Sequence, residues 1–567
     1  MDGQPGSAET AYGRSELNRF EKIDIETDCE NEIKQSDQYP PLRTVGLIMV
    51  ALYLAMFLVA LDRIIISTAI PTITDEFNSI QDIGWYGGAY VLSGCVTQLL
   101  FGRLYMFYDN KVVFLSAVML FEIGSAVCGA APNSVAFILG RVIAGCGSAG
   151  VFSGTIVIMI PMAPLEKRPM YQGFLGAIFG VSSVVGPLIG GAFTKNPHLT
   201  WRWCFYVNLP IGALSILIIA LFLHLPPPQQ ASLSLKQKLL RLDPIGNFLF
   251  APSIICLLLA LQWGGTDYPW NDQRVIALLV LFGVLFITWL WSQYWQKQRA
   301  TVPINVLHQR SIIAGVLYSA CIGGVMLSMG YYLPIWFQAI DGVDALQSGI
   351  RNLPFILGLV VSSILAGGFV ARVGHYTPCI ISCSIFMSIG AGLMTRLRVD
   401  SPNAEWIGYQ TLAGFGMGMG MQQSGLAAQV VLDETDVPVG ASLMFFGQQL
   451  GGAVFVCAAE NVFIQQLVKN LTTLMALERA QALAHVGATD LRSHVPADLL
   501  HAVLLQYNKA ITTTFYVGTA IAAFSIVPAL LFEWKSVKDR GKSLHSGELV
   551  GTDVKNEAQG KILERAH

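Results

Sequence analysis

The sequence predicts an all-α polytopic membrane protein, and its composition and apolar segments support this fold class. Of the 567 residues, 53% are hydrophobic and 13% are charged, whereas a soluble protein is about a quarter charged. Apolar segments of about twenty residues recur along the chain, and each could cross a ~30 Å hydrocarbon core as a helix. The ten cysteines lie mostly singly in these segments, without a CxxC pair. This pattern is typical of apolar packing rather than of a disulfide or zinc framework.

The chain starts with a polar, acidic stretch that has no apolar core. We therefore predict a disordered tail over residues 1–43 rather than a signal peptide. Fourteen spans are predicted after it, near residues 44–70, 84–104, 112–131, 135–160, 173–194, 203–224, 244–263, 274–295, 312–336, 348–370, 377–397, 406–430, 438–463 and 511–533. A second tail covers 534–567.

Basic residues in the connecting loops predict the orientation of the spans. An even number of spans places both tails on one side, and Lys and Arg concentrate there, which indicates the cytosol. These residues are Arg43, Lys111, Lys167, Arg168, Lys236, Lys238, Arg241, Lys297, Arg299, Arg310, Arg372, Lys535 and Lys538. The only N-x-S/T sequence, at Asn470, falls in the one long outer loop, about 464–510, so we predict glycosylation there. Its Ala- and Leu-rich composition predicts an amphipathic helix in this loop.

Two similar loops indicate an internal repeat. The segment from Gly102 to Lys111 follows span 2, and the segment from Gly367 to Tyr376 follows span 10 with the same leading glycine. If the halves superpose, spans 7 and 8 are an insert between two six-helix bundles, and a substrate site lies near the midplane between the bundles. The predicted domains are the tail 1–43, the bundle 44–224, the linker 225–311, the bundle 312–533 and the tail 534–567.

The fifth span has a composition that would make a poor helix in water. It reads GFLGAIFGVSSVVGPLIGG, and each Gly costs about 1 kcal/mol and Pro about 3 kcal/mol relative to Ala. In a bilayer, small residues allow a neighbouring helix to approach closely, and proline allows a bend. We therefore predict a packed hinge at Gly186, Pro187, Gly190 and Gly191; the alternative is that these glycines serve only helix packing.

GPLIGG followed by WRWCFYVNLPIG resembles the antiporter motif and following loop of the major facilitator superfamily. More narrowly, it resembles the fourteen-span drug:proton antiporters and their fungal branch of toxin and multidrug efflux pumps. Arg141 with Gly145 and Gly147 resembles the fourth-span motif. Ser182 replaces a usual glycine, and the loop after span 2 keeps only Gly102 and Lys111 of its motif. The resemblance implies the major facilitator fold, two six-helix bundles plus two extra central helices, and proton-driven export.

Three ionisable residues lie inside predicted spans, where each charge costs roughly 2.5–3.5 kcal/mol or more. Asp62 lies about 26 Å along span 1, in an LDR-x-I…AIP string that resembles the first-span motif of the drug antiporters. Arg141 lies about 14 Å from the outer end of span 4, and Glu122 about 16 Å from the inner end of span 3. Because these depths coincide in a ~30 Å core, we predict that Glu122 and Arg141 interact.

Each of these residues has two possible roles. Asp62 either binds protons or substrate, as the resemblance implies, or pairs with a nearby base. Arg63 lies about 100° further round the helix and is not an automatic partner. A fixed Arg141 would keep Glu122 ionised and structural, so proton coupling requires that pair to separate in one conformation.

Several polar and aromatic residues are candidates for contact with the transported molecule. Gln448 and Gln449 lie near mid-depth in span 13, and Gln422 lies in a Gly/Met-rich run of span 12. Hydrogen bonding between helices is the alternative role for these amides. Trp336, in a block that resembles a family segment between spans 9 and 10, either lines a cavity or belongs to a lipid-facing belt.

The sequence also excludes several function classes. It has no G-x-x-x-x-G-K-[ST] string, no His/Cys/carboxylate cluster with metal spacing, and no nucleophile elbow on a soluble strand–turn–helix. We therefore expect no ATP site, no metal, no cofactor and no enzymatic activity. Because the sequence has no cluster of basic residues, we also expect no binding of nucleic acid. The prediction is a monomeric exporter of small amphipathic molecules, driven by protons, in the plasma or vacuolar membrane. Uptake of another solute and a non-transporting sensor on the same fold are the alternatives.

Overall fold

The computed structural model describes residues 39–196, 198–225, 234–265, 268–484 and 491–543. Most of both predicted tails lies outside these ranges. Helices predominate within them. The first half of the chain forms α1 (Leu42–Phe77), α2 (Ile83–Phe107), α3 (Asn110–Ala130), α4 (Ser134–Met162), α5 (Arg168–Lys195) and α6 (Asn208–Phe222).

Among the described residues, two long helices connect this half to the second. They are α7 (Pro244–Trp263) and α8 (Gln273–Gln296). The second half forms α9 (Arg310–Ile340), α10 (Leu353–Val373), α11 (Thr377–Met394), α12 (Asn403–Gly420), α13 (Gln423–Val431), α14 (Val437–Leu471) and α15 (Ala497–Phe524). We call the end of the molecule at which α1 begins and α2 ends the inner end, and the opposite end the outer end.

Among the described residues, twelve helical segments are long and apolar enough to cross a membrane, two fewer than the fourteen spans predicted. The other two predicted spans are also helical but are more polar or interrupted. The helix α2 contains Gln98 and Arg103, and predicted span 12 is divided into α12 and α13 at Met421–Gln422. Neighbouring helices bury these polar groups, so hydrophobicity alone identifies such segments poorly.

Helices of each half pack mainly against one another. In the first half α4 packs against α2 and α3, while α1 packs against α5 and α6. In the second half α14 packs against α9 and α15, while α12 packs against α10 and α11. The two halves meet where α2 contacts α14 and α5 contacts α10. Equivalent helices therefore occupy equivalent places in the two halves.

At the inner end, the two halves are in close contact. The hydroxyls of Ser153 and Ser442 lie 2.9 Å apart, and both serines are fully buried. Ser363 donates a hydrogen bond to the Gly173 carbonyl, 3.0 Å away. A Cβ at Gly102 would lie 2.9 Å from the Cβ of Ser442, so α2 and α14 need a glycine here. The inner end of the interface is closed in this conformation.

The connecting helices lie at the side of the two halves. The helix α7 packs against α2, α14 and α8. Large side chains of α8 point away from the protein: Ile287 is 68% exposed, Trp291 70% and Trp295 83%. So large an apolar surface is suited to contact with lipid.

The predicted outer loop 464–510 is shorter in the structure, because α14 and α15 extend into it from both sides. Two short helices, Leu477–Ala484 and Leu491–His494, lie between them. A helix in this region was predicted, and its presence is confirmed.

The predicted glycosylation site does not fit this conformation. Asn470 lies in the last turn of α14 and is 6% exposed. Its side-chain nitrogen, which would have to carry the glycan, donates a hydrogen bond to the Gln506 carbonyl at 3.3 Å. An acceptor asparagine must be accessible, whereas the packing of α14 against α15 buries this one.

Candidate functional site

The centre of the first half contains a buried ion pair between α1 and α4. An Nη atom of Arg141 donates to Oδ2 of Asp62 at 2.5 Å, and the two side chains are 1% and 0% exposed. Arg141 Nε also donates to the Tyr86 carbonyl at 2.9 Å, and its guanidinium lies 4.4 Å from the centroid of the Tyr90 ring. Two residues of α2 thus fix the orientation of Arg141 toward Asp62.

Small residues on α4 make this arrangement possible. A Cβ at Gly145 would collide with the Tyr90 carbonyl and the Ser93 hydroxyl of α2. A Cβ at Gly147 would collide with the backbone of Phe121 on α3. The glycines one and two turns after Arg141 therefore bring three helices together around its guanidinium, which explains the spacing that the sequence showed.

Asn208, at the start of α6, connects this ion pair to α3. Its side-chain nitrogen lies 3.4 Å from Oδ1 of Asp62 and 3.1 Å from Oγ of Ser125. Asn208 was not among the residues predicted to be functional, although an amide inside an otherwise apolar span is a detectable signal. Both carboxylate oxygens of Asp62 accept hydrogen bonds. In this conformation Asp62 is therefore the partner of a base, which is the second of the two roles predicted for it.

The predicted contact between Glu122 and Arg141 is wrong for this conformation. Arg141 points toward α1, while Glu122 points toward α6, where a Cβ at Gly212 would collide with its carboxylate. Glu122 is 8% exposed, and neither of its oxygens has a hydrogen-bond partner among the described residues. Their depths differ as well: α3 and α4 pack with Gly124 against Ala144 and with Cys128 against Gly140, which places Arg141 more than one helical turn nearer the outer end than Glu122.

Of the predicted contacts for the transported molecule, Gln449 lies at the interface between the two halves. Its Oε1 accepts a hydrogen bond from Nη1 of Arg63 at 3.2 Å. Gln448 is half-buried, and its backbone carbonyl packs against Gly323 of α9. Gln422, 7% exposed, lies at the break between α12 and α13, where its side chain faces Gly176 of α5.

Trp336 lines neither a lipid-facing belt nor an open cavity. It is 1% exposed, and its Nε1 donates to Oδ1 of Asn508 at 2.7 Å. This hydrogen bond joins α9 to α15 inside the second half. An indole with its N–H satisfied and its ring packed is a structural residue.

The predicted hinge glycines have different surroundings. A Cβ at Gly190 would collide with the Thr68 hydroxyl of α1, and one at Gly186 would lie 3.0 Å from Ile64 Cγ2. A Cβ at Gly191 would have no atom within 4 Å among the described residues. The helix α5 is continuous through Pro187. Gly186 and Gly190 therefore permit close packing of α5 on α1, and Gly191 does not.

A family model described as Major Facilitator Superfamily matches residues 52–456, which is more than half of the chain. The chain belongs to the major facilitator superfamily. Several fungal transporters are among its curated relatives. A rubrofusarin-specific efflux pump of Gibberella zeae is 49% identical over 502 residues, covering 88% of this chain and 91% of that protein. An MFS-type efflux pump of Trichophyton rubrum is 50% identical over 497 residues, with coverages of 88% and 92%. These relatives confirm the fungal efflux branch of the superfamily.

Solved structures of this superfamily have the same fold. The proton:xylose symporter XylE superposes with a TM-score of 0.54 at 16% identity, covering 85% of this chain and 95% of that one. The human organic anion transporter MFSD10 gives a TM-score of 0.52 at 14% identity, with coverages of 85% and 100%. The apolar helices of the described residues and the efflux pumps among the relatives identify the protein as a multi-pass membrane transporter of the efflux type.

Proposed function

We propose that this transporter exports small amphipathic molecules in exchange for protons by alternating access, as a monomer without a bound cofactor. Asp62, Glu122 and Arg141 couple the two fluxes. The observation that supports this most directly is the position of Glu122, a carboxyl group without a hydrogen-bond partner among the described residues, beside a complete ion pair.

The charges of this cluster give the proposal its chemistry. Two carboxylates and one guanidinium have a net charge of −1 when Glu122 is ionised and 0 when it is protonated. An unpaired charge away from water is costly. In the closed conformation the neutral, protonated cluster has the lower free energy, and access to water on one side of the membrane permits release of the proton. Asp62 and Arg141 keep the pair neutral throughout this exchange.

Alternating access requires the inner end of the interface to open. The contact of Ser153 with Ser442 and that of Ser363 with Gly173 both join one half to the other. Both contacts must break in an inward-open conformation. The close packing of Gly186 and Gly190 against α1 makes the outer part of α5 move with the first half.

We also propose fourteen membrane crossings with both tails in the cytosol. The helix α1 ends at the outer end and α3 begins at the inner end, so the chain between them must cross. At 1.5 Å per residue, α2 is about 37 Å long, which is sufficient. The pair α12 and α13 likewise connects α11 to α14. A plasma membrane location is proposed, with the vacuolar membrane as the alternative.

The relatives' names support a secondary metabolite, a toxin or a drug as the exported molecule, since one relative is described as specific for rubrofusarin. The experiment is a pH-jump assay in proteoliposomes that contain only this protein, with a hydrophobic fluorescent dye. In the wild type we expect the dye to cross the membrane in the direction opposite to the flow of protons. Glu122→Gln is expected to abolish the gradient dependence while the protein remains folded.

Asp75→Asn provides the control, because Asp75 is an exposed carboxylate near the end of α1 and lies outside this cluster. This variant should behave like the wild type. A rate of dye movement in the wild type that does not depend on the pH gradient would contradict proton coupling. Dye movement in the same direction as the protons would indicate uptake instead.

A further inference from the structure

A cavity of about 560 Å³ lies at the inner end, beside the contact between α2 and α14 that joins the two halves. Its walls come from the end of α2, the segment before α7, the end of α8 with the residues after it, and the start of α14. Four basic side chains line it together with one carboxylate: Arg103, Arg241, Lys297, Arg299 and Asp436. The excess of positive charge makes it suited to an anionic ligand.

Asp243, which lies behind the wall of this cavity, stabilises the segments that form it. The residue is fully buried, and its carboxylate accepts hydrogen bonds from Gln293 and Gln296 of α8, each at 2.7 Å. It also accepts from the backbone and the hydroxyl of Thr301, at 2.9 and 2.8 Å, and from the Gly246 N–H. These contacts fix the end of α8 relative to the start of α7.

The same network positions the basic groups. Arg103 is 0% exposed, and one of its terminal nitrogens donates to the Arg241 carbonyl at 2.8 Å. Lys297 and Arg299 follow directly after α8 and are exposed. One guanidinium thus lies in the wall of the cavity, and two exposed cationic side chains lie at its edge, an arrangement that suits a phosphate group entering from outside.

The depth of the cavity matches that of lipid headgroups. Three aromatic side chains are exposed in the last two turns of α8, which end just before Lys297. They are Trp291 at 70%, Tyr294 at 69% and Trp295 at 83%. Aromatic side chains of this kind lie at the membrane–water boundary. The short helix Leu235–Arg241, whose last residue lines the cavity, exposes Leu239 and Leu240 at 57% and 51%. Both elements place apolar side chains where acyl chains would lie.

We propose that this cavity binds the phosphorylated headgroup of an anionic phospholipid of the leaflet at the inner end. Arg103 and Arg241 contact the phosphate, while Lys297 and Arg299 close over it. Asp436 excludes a second anion and leaves room for headgroup hydroxyls. Because the walls belong to α2, the connecting helices and α14, the bound lipid joins both halves and stabilises the closed inner end. This regulatory site is separate from the proton-coupling cluster.

The test uses the full-length protein in a neutral detergent and measures binding of dioctanoyl phosphatidylinositol 4-phosphate by native mass spectrometry. Dioctanoyl phosphatidylcholine and inorganic phosphate are the comparison ligands. We expect saturable binding of the anionic lipid only. Replacing both exposed cations, Lys297→Ala with Arg299→Ala, is expected to weaken it roughly tenfold or more, as expected for the loss of two basic groups near a lipid surface.

Arg274→Ala is the matched control, because Arg274 is an exposed arginine at the opposite end of the same helix. It should leave lipid binding unchanged. Equal weakening by Arg274→Ala, or unchanged binding in the double variant, would overturn the proposal. Inorganic phosphate that binds as tightly as the lipid would also overturn it, since the occupant would then be a free anion.

Discussion

Arg63 on α1 donates a hydrogen bond to Gln449 on α14 at 3.2 Å, and this contact joins the two halves of the transporter near mid-depth. Arg63 follows Asp62 directly, yet the two side chains have different partners. Asp62 faces α4 inside the first half, whereas Arg63 faces the second half. Neighbouring positions on one helix therefore connect the ion pair with Arg141 to the interface between the two halves.

Converting this hydrogen bond into an ion pair should slow transport. Gln449→Glu gives Arg63 a carboxylate acceptor, so a hydrogen bond to a neutral amide becomes an ion pair, in which the two opposite charges attract strongly away from bulk water. If the contact breaks during transport, we expect efflux to slow by roughly tenfold, which corresponds to about 1.4 kcal/mol. The measurement is the initial rate of dye efflux from proteoliposomes.

The neighbouring half-buried glutamine supplies the control for this change. Gln448→Glu adds the same charge at a position that does not face Arg63. The double variant Arg63→Gln with Gln449→Glu keeps the new carboxylate but removes the ion pair. Both should be faster than Gln449→Glu alone. Equal rates in Gln449→Glu and Gln448→Glu would show that charge in this region, and not the pair, slows transport.

Asp62→Asn should destabilise the fold because it leaves Arg141 buried without its carboxylate. Removing one partner of a buried ion pair costs about 3–5 kcal/mol. We expect a lower melting temperature of the purified protein in detergent. Replacing both partners, Asp62→Leu with Arg141→Met, should recover most of the stability but not transport. Asp75→Asn is the control, and a melting temperature of Asp62→Asn equal to that of the wild type would contradict the structural role of the pair.

The glycines of α5 allow a comparison within a single helix. Gly190→Ala places a methyl group against Thr68 of α1, so we expect looser packing, a lower melting temperature and slower efflux. Gly191→Ala places the methyl group where the described residues leave open space, and it should behave like the wild type or be slightly more stable, because alanine favours helices. Equal effects of the two changes would remove the argument for close packing at Gly190.

The positions of the helices could be predicted from the sequence because bilayer thickness fixes their length and composition. The exceptions follow from packing. Gln98 of α2 donates to Ser153 at 2.6 Å, and polar groups that bond to a neighbouring helix make α2 less apolar than a membrane span normally is. The division between α12 and α13 at Gln422 has no comparable signal in the sequence, whose run of Gly and Met is compatible with one helix.

The partners of the buried charges were harder to predict. Depth along the spans predicts that Glu122 and Arg141 share a layer and that Asp62 lies nearer the outer end, whereas Arg141 pairs with Asp62. A partner is chosen by the depth and rotation of each helix, which depend on every neighbouring helix. Gly145 and Gly147 identify α4 as a closely packed helix without showing which residue its arginine faces. Asp243 was missed because a single acidic residue before a proline is an ordinary helix start; its five hydrogen bonds form only after α7 and α8 have packed together.

A cross-link at the inner end should arrest transport in the closed conformation. The hydroxyls of Ser153 and Ser442 are 2.9 Å apart, so cysteines at both positions, in a variant without native cysteines, would form a disulfide across the interface. We expect oxidation to stop dye efflux and reduction to restore it. Ser384 and Ser525 provide a matched pair, since their hydroxyls are also 2.9 Å apart and buried but lie within the second half. The same cross-link there should leave efflux unchanged, because movement between the halves does not separate these two residues. Efflux that continues in the oxidised Ser153/Ser442 variant would show that this contact does not open during transport.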